Sequence, residues 1–438
     1  MIVHSSRIFI SPMNCNQIKQ KLFFIIPKPL LAILIVACIV RLIVAFVITN
    51  FRTDFYWEYG EIAKNVLAGH GYSLYHISNN EPSLRFSPSV TPFPSALMAP
   101  GYVGFLLPFM MISNVLLSNA FIICAQIILS LLTIVLVYKF TAKYFSERAA
   151  LISCITASIL PDFAYSVISY TPTALYHCAV IAVMFLLYSI TKKSNYTTII
   201  QISVGFVFLS YLRWEFLLFV ILFLFLQIFS HHWKNAGIAL LVMISLLSPW
   251  TIRNYYAFGT FVPFSTGFGL NFYRGNNPDE IGTWGSEDMK KDVLALSRDR
   301  TFEVQLDHLY RQQALNFIQS HPLQALSNIP VKLFHLWIFS PLQQRSNNFL
   351  YQIISGSFFI FSIIGLIATF SWQRHKYLYL ILLYSTAIGL LFFTLPRHQT
   401  MMKVVLIPLA GAGLEFLWNL FRRKMEKHRN KHDNQQSV

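Results

Sequence analysis

The chain has 438 residues, 55% hydrophobic and only 12% charged, with 40 phenylalanines, a mixture that no single soluble core can hide without leaving large apolar patches. A soluble globular enzyme is therefore excluded, and a polytopic membrane protein is expected. The formal net charge of +16 does not point to nucleic acid, because the cations sit in short hydrophilic gaps between greasy runs.

In chain order, a basic start (Arg7, Lys19, Lys21, Lys28) precedes an apolar run from Pro29 to Thr49. That run is long enough to cross the membrane, and no small-residue cleavage site follows it, so it reads as a retained helix rather than a signal peptide. Further runs predict about ten spans in all, near residues 29–49, 119–139, 149–169, 173–191, 196–212, 214–230, 236–252, 349–371, 377–395 and 403–421. Lys and Arg collect at the N-terminus, at Lys139, Lys143 and Arg148, at Lys192 and Lys193, at Lys234, at Arg374 and Lys376, and in the tail from Arg422 to Lys431. The positive-inside rule places these gaps and both termini in the cytoplasm. The chain then divides into a cytoplasmic N-terminus (1–28), a transmembrane module (29–252) containing an outer loop (50–118), a second outer segment (253–348), C-terminal transmembrane helices (349–421) and a basic cytoplasmic tail (422–438).

The first outer loop opens with RTDFYWEYGEIAKNVLAGHGYS, residues 52–73. Phe55, Tyr59, Ile62 and Val66 form one helical stripe, with Asp54, Glu58, Glu61 and Asn65 beside it, and Gly69 and Gly71 end the helix. Such a helix lies along the membrane surface, with Tyr56, Trp57 and Tyr59 at headgroup level. Asp54 has two readings on spacing alone: a general base at the membrane exit, or a cap for this helix. Glu58 could assist Asp54, pair with Arg52, or lie on a solvated face; Glu61 reads as a surface charge near Lys64. Ser95 to Ile112 is apolar but broken by Pro100, Gly101, Gly104 and Pro108, and reads as interfacial or re-entrant.

Arg213 and Glu215, in SYLRWEF, form either a structural pair or part of an anion site. Arg253, in SPWTIRNYYAF, emerges beside Trp250 and Tyr255, where a guanidinium can hold a phosphate or simply anchor the helix end. Gly267, Gly269 and Gly275 make a flexible loop but not a phosphate-binding motif. Ser286 to Ser320 favours helix; Pro322 and Pro330 then punctuate an apolar stretch, Val331 to Phe339, too short to span. Arg397 and His398 precede the last span, and Arg41 and Glu415 are the conspicuous charges inside spans, each snorkelling or paired. The five cysteines and the histidines lack metal-ligand spacing, so neither a zinc site nor a disulfide framework is indicated.

The ordered set of an outer-loop Asp followed by YGEIAKNVLAGHGYS, then APGYVGFLLPF, SYLRWEFLLF, SPWTIRNYYAFGTFVPFSTGFGLNFYRGNNP, IQSHPLQALSNIPVKLFHLW and PRHQTMMKVVLIPLAGAGL resembles the GT-C membrane glycosyltransferases. The branch it resembles holds the bacterial relatives of the protein O-mannosyltransferases and of the lipid A aminoarabinose transferase. The resemblance implies an all-α polytopic bundle of about ten transmembrane helices, with interfacial helices in the first outer loop and a long second outer loop. It also implies transfer of a sugar from a polyprenyl-phosphate donor to a lipid, glycan or protein acceptor, on the periplasmic face of a bacterial inner membrane, with inversion at the anomeric carbon. The family's catalytic acid position maps onto Asp54, with Glu58 in support. Arg253, Arg213 and Arg397 would hold the leaving phosphate, and Tyr102, Asn254 and Asn276 lie in the matching substrate loops. Membrane lipids are implied as partners and nucleic acid is not; no cofactor is implied, and a divalent metal is left open. The chain departs from the pattern at Phe55, at Met98 and Ala99, and in YTPTALYH, where family members often carry charged residues. The alternative is a transporter or polymerase-like exporter of lipid-linked glycans without sugar transfer.

Overall fold

The computed structural model describes residues 26–78, 81–190, 195–278, 287–340, 346–393 and 396–436, with backbone only at 287–290, 396–397 and 431–436. The helical bundle contains α1 (Lys28–Ile48), then after the first outer loop α4 (Val115–Tyr144), α5 (Glu147–Ile159), α6 (Pro161–Ser166), α7 (Thr173–Ile190), α8 (Tyr196–Leu212), α9 (Phe216–Phe229) and α10 (Trp233–Phe258), and finally α15 (Phe349–Ala368), α16 (Trp372–Leu391) and α17 (Pro396–Gln436). The outer loops supply α2 (Trp57–Leu67), β1 (His76–Ser78), β2 (Glu81–Ser83), α3 (Pro100–Met110), α11 (Phe268–Gly275), α12 (Glu287–Leu294), α13 (Phe302–Ser320) and α14 (Pro322–Trp337).

These helices fall on the ten expected runs. Among the described residues, six are long and apolar enough to cross a membrane: α1, α4, α7, α10, α15 and the stretch His398–Asn430 of α17. Two of the others, α8 and α9, have only 17 and 14 residues. The run expected at 149–169 is broken into α5 and α6. Leu160 is extended there, with φ −62° and ψ 121°, because it precedes Pro161, and Pro161 opens the next helix where its missing N–H costs nothing. The C-terminal helix runs past the expected end at residue 421 because the basic tail holds good helix formers and no Gly or Pro.

Close helix crossings rest on small residues. A Cβ on Gly413 would lie 2.1 Å from the Phe361 carbonyl oxygen, and one on Gly365 would lie 1.8 Å from that of Leu409, so α15 and α17 touch backbone to backbone. Gly411 does the same against Ala149 of α5. In a lipid environment such contact supplies the dispersion that burial from water cannot.

Charges inside the bundle are satisfied internally. Arg41 is fully buried; its guanidinium donates to Ser130 Oγ (2.7 Å) and to the carbonyls of Ala37, Ser158 and Ala157 at 3.1, 3.3 and 3.1 Å. The last two lie at the C-terminal end of α5, whose orphan carbonyls and dipole favour a cation, so Arg41 is bonded rather than snorkelling. Glu415 accepts from Ser146, which also caps α5. A buried charge pair was not expected from the sequence: Lys403 of α17 bonds Asp162 of α6, with Ser355 Oγ at 3.1 Å from the ammonium. Tyr351 and Thr400 donate to the other Asp162 oxygen at 2.8 and 3.0 Å.

The outer layer departs from the all-helical expectation in the first outer loop. Strands β1 and β2 pair antiparallel with His76 opposite Ser83 and Ser78 opposite Glu81. Ser73 and Pro94 also form an isolated antiparallel bridge. In the second outer segment Pro322 opens α14 and Pro330 lies inside it, so the two prolines sit within a helix rather than punctuating one.

Candidate active site

The chain leaves α1 at Ile48 and reaches α2 at Trp57, and the intervening backbone is held from the bundle. Asn119 of α4, fully buried, donates its amide hydrogens to the carbonyls of Phe51 (2.9 Å) and Thr53 (3.0 Å). Asp54 follows immediately. Its side chain is 64% exposed. Arg85, delivered by the strand pair, places Nη2 at 3.1 and 3.2 Å from the two carboxylate oxygens.

Asp54 does not cap α2. The capping residue is Tyr56, which makes no side-chain cap bond, and the helix opens at Trp57 with φ of 57°, a left-handed conformation that is strained for a bulky residue. The helix start is satisfied by Glu61, and here the surface-charge expectation is wrong. Glu61 is 0% exposed and accepts from Tyr56 N (3.2 Å), Phe86 N (2.6 Å) and Lys64 Nζ (3.0 Å). It ties α2 to the segment after β2, and burial is tolerated because both carboxylate oxygens have donors, one of them the Lys64 ammonium. The acidic stripe thus splits, with Asp54 and Glu58 open and Glu61 and Asn65 inside. Glu58 is half-buried and, among the described residues, makes no hydrogen bond or ion pair, so the pairing with Arg52 does not form.

The expected cations are distributed differently. Arg213 caps α8 and clasps Glu215 through Nη2 (2.8 Å) and Nε (3.3 Å), within electrostatic reach of Tyr59 of α2 and of Tyr176 and Tyr384 in the bundle. Arg253 is committed to architecture: Nη1 donates to Ser95 O (2.7 Å) and to Asn254 Oδ1 (3.0 Å), and Nη2 donates to Tyr72 O. Its plane lies near the rings of Tyr72, Trp250 and Phe258 at 5.4, 5.3 and 5.9 Å. The side chain of Arg397 lies outside the described residues.

The three substrate-loop candidates are all buried. Tyr102 donates to Gln126 Oε1 (3.0 Å) and meets the Tyr59 ring edge-on at 5.3 Å, beneath α2. Asn254 donates to Val262 O (3.1 Å), and Asn276 donates to Phe272 O (2.9 Å) and Leu391 O (3.0 Å) while accepting from Lys332 (3.1 Å). Tyr102 thus ties α3 to α4, Asn254 ties the end of α10 to the loop that follows, and Asn276 ties the end of α11 to α16 and α14.

Two residues of this layer escaped the sequence reading, Arg85 and Glu303. Glu303 of α13 is 1% exposed, and its Oε2 accepts from Ala96 N (2.9 Å) and Thr266 Oγ1 (2.6 Å), joining the second outer segment to the first. Burial pushes its carboxyl up to about 7, against the pull of those hydrogen bonds and of Arg253. Among the described residues no group of His, Cys, Asp and Glu could hold a metal ion.

Residues 99–252 match the family model of the dolichyl-phosphate-mannose-protein mannosyltransferases, a stretch running from α3 into α10. The oligosaccharyltransferase of Archaeoglobus fulgidus in its apo form superposes with a TM-score of 0.50 at 12% identity, covering 91% of this chain and 52% of that one. The same enzyme tethered to an acceptor peptide containing the NVT sequon gives 0.51 at 13%, over 89% and 50%. The fold is that of the GT-C membrane glycosyltransferases.

ArnT from Cupriavidus metallidurans, bound to undecaprenyl phosphate, gives a TM-score of 0.39 at 11% identity over 87% of this chain and 77% of that one. No curated protein sequence matches. The chain spans about half the length of the archaeal enzyme. Tyr102 and Arg213 fall inside the stretch matched by the family model, whereas Asp54, Glu58, Arg253, Asn254, Asn276 and Arg397 fall outside it. The geometry around Asp54 is therefore read from this chain's own contacts.

Proposed function

We propose that the protein is a glycosyltransferase that moves a sugar from a polyprenyl-phosphate carrier to a lipid, glycan or protein acceptor, on the periplasmic face of a bacterial inner membrane. The observation that carries this reading is Asp54: an exposed carboxylate at the end of α1, with the preceding backbone clamped by Asn119 and the side chain oriented by Arg85. A base held there meets a lipid-borne donor and a water-borne acceptor at one depth, and fixed geometry is what makes such a base effective.

Asp54 accepts the proton of the acceptor hydroxyl or amine as that atom bonds to the anomeric carbon. The carbon–oxygen bond to the carrier breaks with inversion, and the carrier phosphate leaves with the electron pair. Glu58, on the same open edge of α2, supports the acceptor. Arg213 and Arg397 hold the developing charge on the phosphate, where cations contribute most. Arg253 acts at one remove: its bonds to Tyr72 O and Ser95 O fix the outer layer over the bundle.

The family match, the GT-C fold and the placement of the basic gaps support this reading. Labelled polyprenyl-phosphate sugars supplied to the purified protein in lipid test it, by comparing carrier cleavage between wild type and Asp54→Asn. A second reading, export of a lipid-linked glycan without transfer, draws on the buried Asp162–Lys403 pair, since intramembrane charges often mark transport paths. In that case no donor is cleaved by either protein.

A further inference from the structure

Helix α14, Pro322–Trp337, carries an apolar strip that stands open over its first turns and closes onto the bundle at its end, where Leu333 is half-buried and Trp337 stacks on Phe359 of α15. Leu323, Leu326, Pro330, Leu333 and Trp337 follow one another at i, i+3, i+7, i+10 and i+14, with Phe334 beside them. Leu323 is 81% exposed, Leu326 61% and Phe334 40%. No charged residue interrupts the strip. The one lysine of the helix, Lys332, turns away from it to Asn276 Oδ1 and Leu390 O, both at 3.1 Å. A neighbouring face carries the exposed Gln324 and Ser327 beside Val331, with His335 half-buried and Asn328 buried beyond them, and Gln324 bonds Pro278 O at 3.3 Å.

The position of the helix selects the occupant of the strip. The Leu336 side chain packs so closely on Gly389 that an added Cβ would meet it at 2.5 Å, and Gly389 lies in the last turn of α16. Gln399, at the start of α17, donates to His335 O. Both anchors are at the ends of helices in the bundle, where the bilayer gives way to water. The N-terminal turn of α15, one of the six span candidates, exposes Phe349 (78%), Leu350 (65%) and Ile353 (48%), so lipid-facing apolar surface lies on the same side of the bundle. A helix with one apolar strip, one polar face and one protein face, tethered at that level, fits the plane of the interface.

We infer that α14 is a membrane-surface helix whose open strip, Leu323, Leu326, Pro330 and Phe334, inserts into the hydrocarbon edge of the outer leaflet, anchoring the second outer segment to the bilayer. The partner is bilayer lipid, and the reading does not depend on which reaction the protein performs. Anchored this way, α14 fixes Asn276 and the end of α11 at a set depth, through Lys332.

The test uses the full chain with its five native cysteines replaced by serine or alanine, in vesicles of phosphatidylethanolamine and phosphatidylglycerol. A nitroxide is placed singly at Leu323→Cys, Leu326→Cys and, on the polar face, Gln324→Cys, and power saturation compares collision with oxygen and with a water-soluble nickel chelate. The oxygen-to-nickel ratio is expected to be at least roughly tenfold higher at 323 and 326 than at 324, the contrast between hydrocarbon and water exposure. Nickel access at 323 and 326 equal to that at 324 overturns the inference. So does shielding from both agents with spin–spin broadening, which would mean that a second copy of the chain covers the strip. A label at Leu240→Cys, on the exposed side of the span α10, confirms in the same sample that the protein is inserted and folded.

Discussion

Arg85 closes on Asp54 with one guanidinium nitrogen, Nη2, set 3.1 and 3.2 Å from the two carboxylate oxygens. Both side chains are more than half exposed, so the pair contributes at most about 1 kcal/mol to stability. Its consequence is orientation. Arg85→Gln is expected to leave the melting temperature nearly unchanged while lowering the rate of carrier cleavage roughly tenfold, the cost of a loosened base. Parallel thermal unfolding and cleavage assays check this, and equal loss in both would assign Arg85 to the fold alone.

Asn119 acts through backbone rather than side chain. Asn119→Leu leaves the carbonyls of Phe51 and Thr53 without their donor and frees the segment that carries Asp54. The expected result is a fall of up to about 100-fold in kcat with donor KM unchanged, since a displacement of about 1 Å is enough for that loss. A rise in KM with kcat intact would place Asn119 in binding instead.

Much of this architecture is legible in the sequence and some is not, for physical reasons. Apolar runs and basic gaps locate the helices because lipid demands both, and the membrane exit before Asp54 follows directly. Glu61 was misread because its neighbours in sequence give it a solvated face, whereas the donors that bury it come partly from Phe86, 25 residues away. Arg85 is silent for the same reason, since EPSLRF carries no motif and only the strand pairing aims it. The Asp162–Lys403 pair joins residues 241 apart, and no motif links the two positions in the sequence. Arg253 shows the converse: its spacing left anchor and phosphate ligand equally open, and carbonyl acceptors from a distant loop are what occupy it.

The Asp162–Lys403 pair predicts an asymmetric mutational response. Lys403→Met leaves a buried carboxylate whose remaining donors, Tyr351 and Thr400, do not neutralise it, and a loss of about 3–5 kcal/mol is expected. Combining Lys403→Met with Asp162→Leu should recover most of that loss. Thermal unfolding of the two single variants and the double variant in one detergent measures the coupling, and additive losses would mean that the charges do not interact.

Glu303 predicts a pH dependence of the outer layer. Its folded value, about 7, lies above the ordinary carboxylate value of 4.5, so the fold binds the proton more tightly than the unfolded chain does. Stability from this group is complete below pH 4.5 and falls as pH rises to 7, by on the order of 3 kcal/mol. Glu303→Gln, which keeps acceptor and donor atoms without ionising, should flatten that slope. Unfolding midpoints of both proteins between pH 4.5 and 8 give the comparison, and parallel slopes would remove Glu303 as the cause.

The central claim is that Asp54 is the base of a sugar transfer from a lipid-phosphate carrier. Cleavage of a panel of radiolabelled polyprenyl-phosphate sugars by purified wild type and Asp54→Asn, each reconstituted in lipid and each verified as folded by its melting temperature, tests it most directly. The account predicts cleavage of at least one donor by wild type and a loss of roughly 1,000-fold or more in the variant. Equal cleavage by the two proteins would contradict it.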